Sequence, residues 1–231
     1  MRIRFQQNLD DLKEKLLVMA GMAEQSIQRA VEAYRVRDLS ICDLVDRGEI
    51  AINRLEREID QMALDLLAME QPMAIDLRFI LSVIKINADL ERVGDSARAI
   101  SDRVRELQSV PVADLPIDIP RTANLASAMV RKALQAFIEA DANMAESVLS
   151  MDDSVDKLNA SAHSTLLNLM KKDPPLAPQA LGALMISRAL ERVADHATNI
   201  AEDVIFWVRG ADVRHHAGTA GGGAKAQTSA S

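Results

Sequence analysis

Leu90-Glu91-Arg92-Val93-Gly94-Asp95 returns one hundred positions later as Leu190-Glu191-Arg192-Val193-Ala194-Asp195. On a helix, the leucine and valine of each hexapeptide lie three apart and share one face. The glutamate and aspartate lie four apart and share another. Working outward from the first copy, Phe79, Val83, Ile86, Leu90, Val93, Ala97, Ile100, Val104 and Leu107 step by three and four. Ala183, Ile186, Leu190, Val193, Ala197, Ile200 and Val204 repeat that seam around the second copy. The preceding segments match in the same way, displaced by 103 positions. Val45, Gly48, Ile52, Leu55, Ile59, Met62 and Leu66 become Val148, Met151, Val155, Leu158, Ala162, Thr165 and Leu169. A leading helix completes each set, from Leu9 to Tyr34 in the first half and around Ala126, Val130, Ala133, Phe137 and Met144 in the second. Repetition on this scale predicts two copies of one supersecondary unit.

The expected fold is therefore all-α, two tandem homologous three-helix bundles made of six long helices. Asp38 reads as a break and N-cap, and Pro72 separates the second helix from the third. Residues Val110 to Pro120 hold three prolines and no helical pattern, which marks a linker. Lys171 to Pro178 breaks the fifth helix from the sixth. These signals place the first bundle at 1–109, the second at 120–213, and a disordered Gly/Ala/Ser-rich tail at 214–231.

Composition narrows the function. The 231 residues are 48% hydrophobic but only 3% aromatic, which suits helix packing by aliphatic side chains. A net charge of −7 argues against nucleic acid as a partner, since phosphate binding needs a basic footprint. No 18-residue stretch is free of charge, so no membrane span is expected. Met1 to Asp10 lacks the apolar core of a signal peptide. The single cysteine, Cys42, has no intramolecular partner. Both point to the cytoplasm.

Chemistry is carried by acidic rows. In the third helix the row beside the seam reads Leu77, Leu81, Ile84, Ala88, Glu91, Asp95, Arg98, Asp102; in the sixth it reads Ala177, Leu181, Leu184, Arg188, Glu191, Asp195, Thr198, Glu202. Each begins apolar and turns acidic halfway. The second helix carries Glu49, Asn53, Glu56 and Asp60, and the fifth carries Asp152, Asp156, Asn159 and His163. Like charges at i,i+4 repel by a few tenths of a kcal/mol, roughly. A hard cation held by oxygen ligands reverses that sign, with iron, zinc, manganese or magnesium as candidate ions. A plain solvated face, with Arg92 and Arg192 pairing the acids, stands as the alternative.

Catalytic patterns are thin. No helical glutamate is followed three residues on by histidine, no glycine loop cradles phosphate, and no nucleophile sits beside a base. His163 and His196 read as surface or edge side chains. An enzyme is not expected, although a metal-dependent hydrolase or metal-storage bundle is the alternative function.

The chain resembles the PhoU family, accessory and regulatory proteins of phosphate-specific transport. The likeness is carried by the two hexapeptides, by Gln71-Pro72-Met73-Ala74-Ile75-Asp76-Leu77-Arg78, by Asn199-Ile200-Ala201-Glu202, and by the duplicated layout. It implies two three-helix bundles, some members of which bind multinuclear iron or other metal clusters through E/D-x-x-x-D motifs. Those motifs correspond here to Glu49 with Asn53, Glu56 with Asp60, Glu91 with Asp95, Asp152 with Asp156, and Glu191 with Asp195. The resemblance also implies negative regulation of phosphate uptake and of starvation signalling. The implied partners are the phosphate ABC transporter, through its ATPase subunit, and a phosphate-sensing histidine kinase. A homodimer is expected. Ala194 stands where the family usually has glycine, and Asn53, Asn159 and His163 replace carboxylates, so the two acidic faces should differ.

Overall fold

A computed structural model describes residues 2–70 and 72–211. Among them are six α-helices and no strand: α1 Arg2–Val36, α2 Leu39–Glu70, α3 Ala74–Glu106, α4 Ile119–Glu139, α5 Ala142–Lys172 and α6 Ala177–Arg209. Each set of three packs as a bundle. Gln71, residues 212–213 and the tail from 214 onward lie outside the described residues.

The local signals explain most helix ends. Asp38 accepts the Ser40 amide at 2.8 Å and caps α2. Asp141 does the same for α5 through the Asn143 and Met144 amides, at 2.8 and 3.1 Å. Two expected breaks are narrower than the prolines suggest. Pro120 and Pro178 lie inside the first turns of α4 and α6, where a missing N–H costs nothing because no intrahelical acceptor is available to it. Only Asp173 and the short 3-10 turn Pro174–Leu176 separate α5 from α6.

The predicted seams are the core. Val83, Ile86, Leu90, Val93, Ala97, Ile100 and Val104 of α3 are fully buried, as are Ala183, Ile186, Leu190, Val193, Ala197, Ile200 and Val204 of α6. Packing is close where the first hexapeptide sits. A Cβ added to Gly94 would lie 3.0 Å from Ile52 Cδ1. In the second half residue 194 is alanine, and the position equivalent to Ile52 is Val155, which lacks that carbon. The glycine-to-alanine departure thus goes with a smaller residue on the facing helix.

The two bundles do not merely follow one another; they share one apolar core. α3 lies antiparallel against α6. Arg78 Nε donates to the Trp207 carbonyl at 3.2 Å, Ser82 Oγ to the Asp203 carbonyl at 2.9 Å, and Asp89 meets His196 Nδ1 at 2.9 Å. At the far end Leu107 packs onto Gly182, where an added Cβ would stand 2.6 Å from Leu107 Cδ1. Phe79, Phe137 and Trp207 form an aromatic knot between the halves, with ring centroids 5.1–5.8 Å apart. α1 and α4 close the interface, with Lys13 Nζ donating to the Ile138 carbonyl at 2.9 Å. None of this inter-bundle contact was legible in the repeats.

Gly94→Ala should gain about 1 kcal/mol of helix propensity and lose about 1–3 kcal/mol to overpacking against Ile52. Adding Ile52→Val should relieve the overpacking. Denaturant unfolding of the two single variants and the double is expected to show favourable coupling of about 1 kcal/mol; strictly additive effects would refute this account of the contact.

Candidate acidic faces

Antiparallel packing brings the acidic rows together in pairs. In the first bundle the register of α2 against α3 is fixed by polar contacts. Asn87 Nδ2 donates to the Glu56 carbonyl at 3.0 Å and to Asp60 Oδ1 at 2.9 Å. Arg98 reaches Glu49 at 3.1 Å, and Arg105 reaches Asp46 at 2.7 Å and Asp43 at 3.0 Å. In the second bundle Ser187, which occupies the position equivalent to Asn87, donates to Asn159 Oδ1 at 2.8 Å.

Within the first face, Glu49 is buried, Asn53, Glu56, Asp60 and Glu91 are half-buried, and Asp95 is exposed. Glu49 lies deeper than a position beside the seam suggests, and it is compensated by Arg98 and by the Asn53 amide, which donates at 2.8 Å. Burial pushes the Glu91 carboxyl above the usual range, and Asp95, Glu56 and Glu49 push it further up against the counteracting Arg92. Two of those three neighbours belong to α2, so the rows of both helices act on one patch. Asp60 accepts from Asn87 and is not among the groups that act on Glu91.

The second face repeats the plan with less compensation. Asp152 is raised from 3.8 to about 6, first by burial and then by Asp156, Asp195, Asp153 and Glu191. Asp195 is raised by burial and by Asp156, with His196 acting the other way. Five carboxylates from α5 and α6 thus lie close to one another. Sequence reasoning did not assign Asn87, Ser187 or Arg98 their bridging roles. Asn87 carried a readable signal, a polar residue at helical spacing from Val83 and Leu90 on the buried side of α3.

The donor chemistry fits a hard cation. All candidates offer oxygen, and the buried Oδ1 atoms of Asn53 and Asp152 have no hydrogen-bond partner, which an ion or a donor would satisfy. The arrangement is an open face and not a closed cage. Among the described residues no group of three or more His, Cys, Asp or Glu side chains is placed so that it could hold a metal ion as the side chains stand. His163, on α5 beside this face, is half-buried. His196 does not join either face; it turns to Asp89, which also accepts from Asn199 at 3.2 Å and faces Arg92 at 3.5 Å. Among the described residues, no helix is long and apolar enough to cross a membrane.

Comparison with known proteins gives a uniform picture. The PhoU domain family model matches residues 16–104 and again 119–204. The phosphate-specific transport system accessory protein PhoU homolog of Pseudomonas aeruginosa is 37% identical over 215 residues, covering 92% of this chain and 88% of that one. The homolog from Clostridium acetobutylicum is 32% identical, covering 90% and 96%. The crystal structure of PhoU from Pseudomonas aeruginosa superposes with a TM-score of 0.85 at 36% identity, over 90% of this chain and all of that one. The phosphate transport system regulatory protein PhoU from Streptococcus pneumoniae gives 0.84 at 27% identity, covering 90% of this chain and 99% of that one.

Because the Asp152 carboxyl is raised in the folded chain, the folded state holds a proton that the unfolded state releases between pH 3.8 and about 6. Stability therefore falls as pH rises through that window and stays lowered above it. In chelator-treated protein, Asp152→Asn should raise the thermal midpoint in neutral buffer and leave it unchanged near about pH 4. An equal shift at both pH values would mean the crowding of carboxylates is not its cause.

Proposed function

The chain belongs to the PhoU family, and on that premise we propose that it is a negative regulator of phosphate uptake and of phosphate-starvation signalling. In this reading it is a cytoplasmic, homodimeric adaptor and carries out no turnover. Its partners are the ATPase subunit of the phosphate ABC transporter and the phosphate-sensing histidine kinase. Support comes from the match of the family model in both halves and from relatives described as accessory or regulatory proteins of phosphate transport.

We further propose that the acidic faces hold iron, zinc, manganese or magnesium, in one or more ions per face. Glu49, Asn53, Glu56, Asp60, Glu91 and Asp95 are the ligands proposed for the first face, and Asp152, Asp156, Glu191 and Asp195 for the second. The observation that carries this is electrostatic. Burial, and then carboxylates that include those of the neighbouring helix, raise the proton affinity of Glu91, Asp152 and Asp195 at the places where the duplicated motif sits. A bound cation relieves that repulsion and links α2 to α3 and α5 to α6. The two sites are expected to differ, since Arg98 already offsets part of the first.

Deleting the gene should derepress phosphate-starvation genes in high phosphate, as measured by transcript levels; unchanged expression would defeat the regulatory reading. Independently, Glu191→Gln with Asp195→Asn should abolish metal uptake by the second face, measured by elemental analysis after dialysis against manganese or iron. Helical content should change little, because Glu191 and Asp195 stand outside the buried seam. Full metal retention in that variant would defeat the metal reading.

A further inference from the structure

We propose that the apolar end of each acidic face docks an amphipathic helical segment of a partner protein, one whose apolar stripe runs on into lysines or arginines. The inference rests on the adaptor reading above and names the chemistry of the partner surface.

Four exposed leucines carry it. Leu64 on α2 is 56% exposed and Leu81 on α3 is 37% exposed. Their equivalents by the two repeat displacements are Leu167 on α5, 37% exposed, and Leu181 on α6, 52% exposed. A single exposed leucine is ordinary on a protein surface. Exposed leucine at both equivalent positions, in halves that differ at most others, is a repeated surface feature. These four fill no core.

Each pair lies at one end of a face whose other end is acidic. α2 runs from Glu49 and Glu56 toward Leu64, while the antiparallel α3 runs from Leu81 toward Glu91 and Asp95. The contacts of Asn87 with Asp60 and of Arg98 with Glu49 hold that register. From Leu81 to Asp95 the face extends about 20 Å along α3, the length of roughly four helical turns. α5 and α6 present a similar order, from Leu167 and Leu181 to Asp152, Glu191 and Asp195, with the exposed Arg188 interrupting it on α6.

Charge decides among the occupants. With no metal bound, a face that is apolar and then acidic is complementary to one that is apolar and then basic, so the partner's lysines and the cation proposed above compete for the same carboxylates. A second copy of this chain, at net charge −7, would set carboxylates against carboxylates, and an anionic membrane would be repelled. The duplication provides two such sites per chain, so a partner presenting two copies of its segment gains from effective concentration.

The test uses a fluorescent peptide of about 20 residues, long enough to span the face as a helix, with leucines at i, i+3, i+4 spacing and lysines confined to one half. Anisotropy titration of the full chain in chelator should show two peptides bound. Leu64→Ser with Leu81→Ser should leave one site, as should Leu167→Ser with Leu181→Ser. The fourfold variant should bind at least about tenfold more weakly, with circular dichroism unchanged. A peptide with glutamates replacing the lysines should not compete. The proposal fails if the fourfold variant binds as tightly as the parent or if the glutamate peptide competes equally. It also fails if sedimentation shows a dimer that the serine variants dissolve, for then the leucines belong to a second copy. Failure of the unmutated chain to bind the peptide, alongside a derepressed deletion strain, removes this surface and leaves the adaptor role standing. Intact binding with unchanged expression does the reverse.

Discussion

The antiparallel contact between α3 and α6 is the constraint from which the rest of the architecture follows. Each of these helices is the most buried of its own bundle and must also face its counterpart. That leaves one sector of each helix for the other bundle, one for the core of its own, and one for α2 or α5. The hexapeptides sit midway along both helices. Their leucine and valine fill the bundle cores, and their glutamate and aspartate are turned toward the neighbouring acidic row. Small residues permit the approach: Gly94 under Ile52, and Gly182 under Leu107.

A cost is built into this arrangement. Burial and mutual repulsion raise the carboxyls of Glu91, Asp152 and Asp195 together. A fold selected only for stability would have no reason to place these groups side by side twice. The first face reduces the cost with Arg98, Asn53 and Asn87. The second has Ser187 on Asn159, a neutral contact that leaves Asp152 unsatisfied. The halves thus share a plan and differ in how much negative charge they leave uncompensated.

Much of this was readable in the amino-acid order. Helical periodicity located six helices, but it carried the fourth on to Met144, whereas α4 ends at Glu139 with Ala140 as a left-handed cap and Met144 belongs to α5, because the apolar stripe runs on across the break. The acidic rows were legible from the same periodicity. The bundle interface was not. α3 faces α6 through Ser82 and Asp89, whose polarity reads as solvent exposure until Asp203, His196 and Asn199 are seen opposite. The aromatic knot was equally hidden, since Phe79, Phe137 and Trp207 come from three separate helices. Proline misled by position: Pro120 and Pro178 look like breaks, yet each suits a first helical turn.

The Asp89 contact has a consequence for how the two halves relate. Under the repeat, Asp89, His196 and Asn199 correspond to Ala189, Ser96 and Ala99. The Asp89–His196 contact therefore exists on one side of the approximate twofold and is replaced on the other by small neutral groups. A chain built from two copies of the first half would bury Asp89 twice, each time opposite Ser96 and Ala99. One built from two second halves would leave His196 facing alanine. At this contact the duplicated units are complementary and not interchangeable, each half supplying what the other lacks.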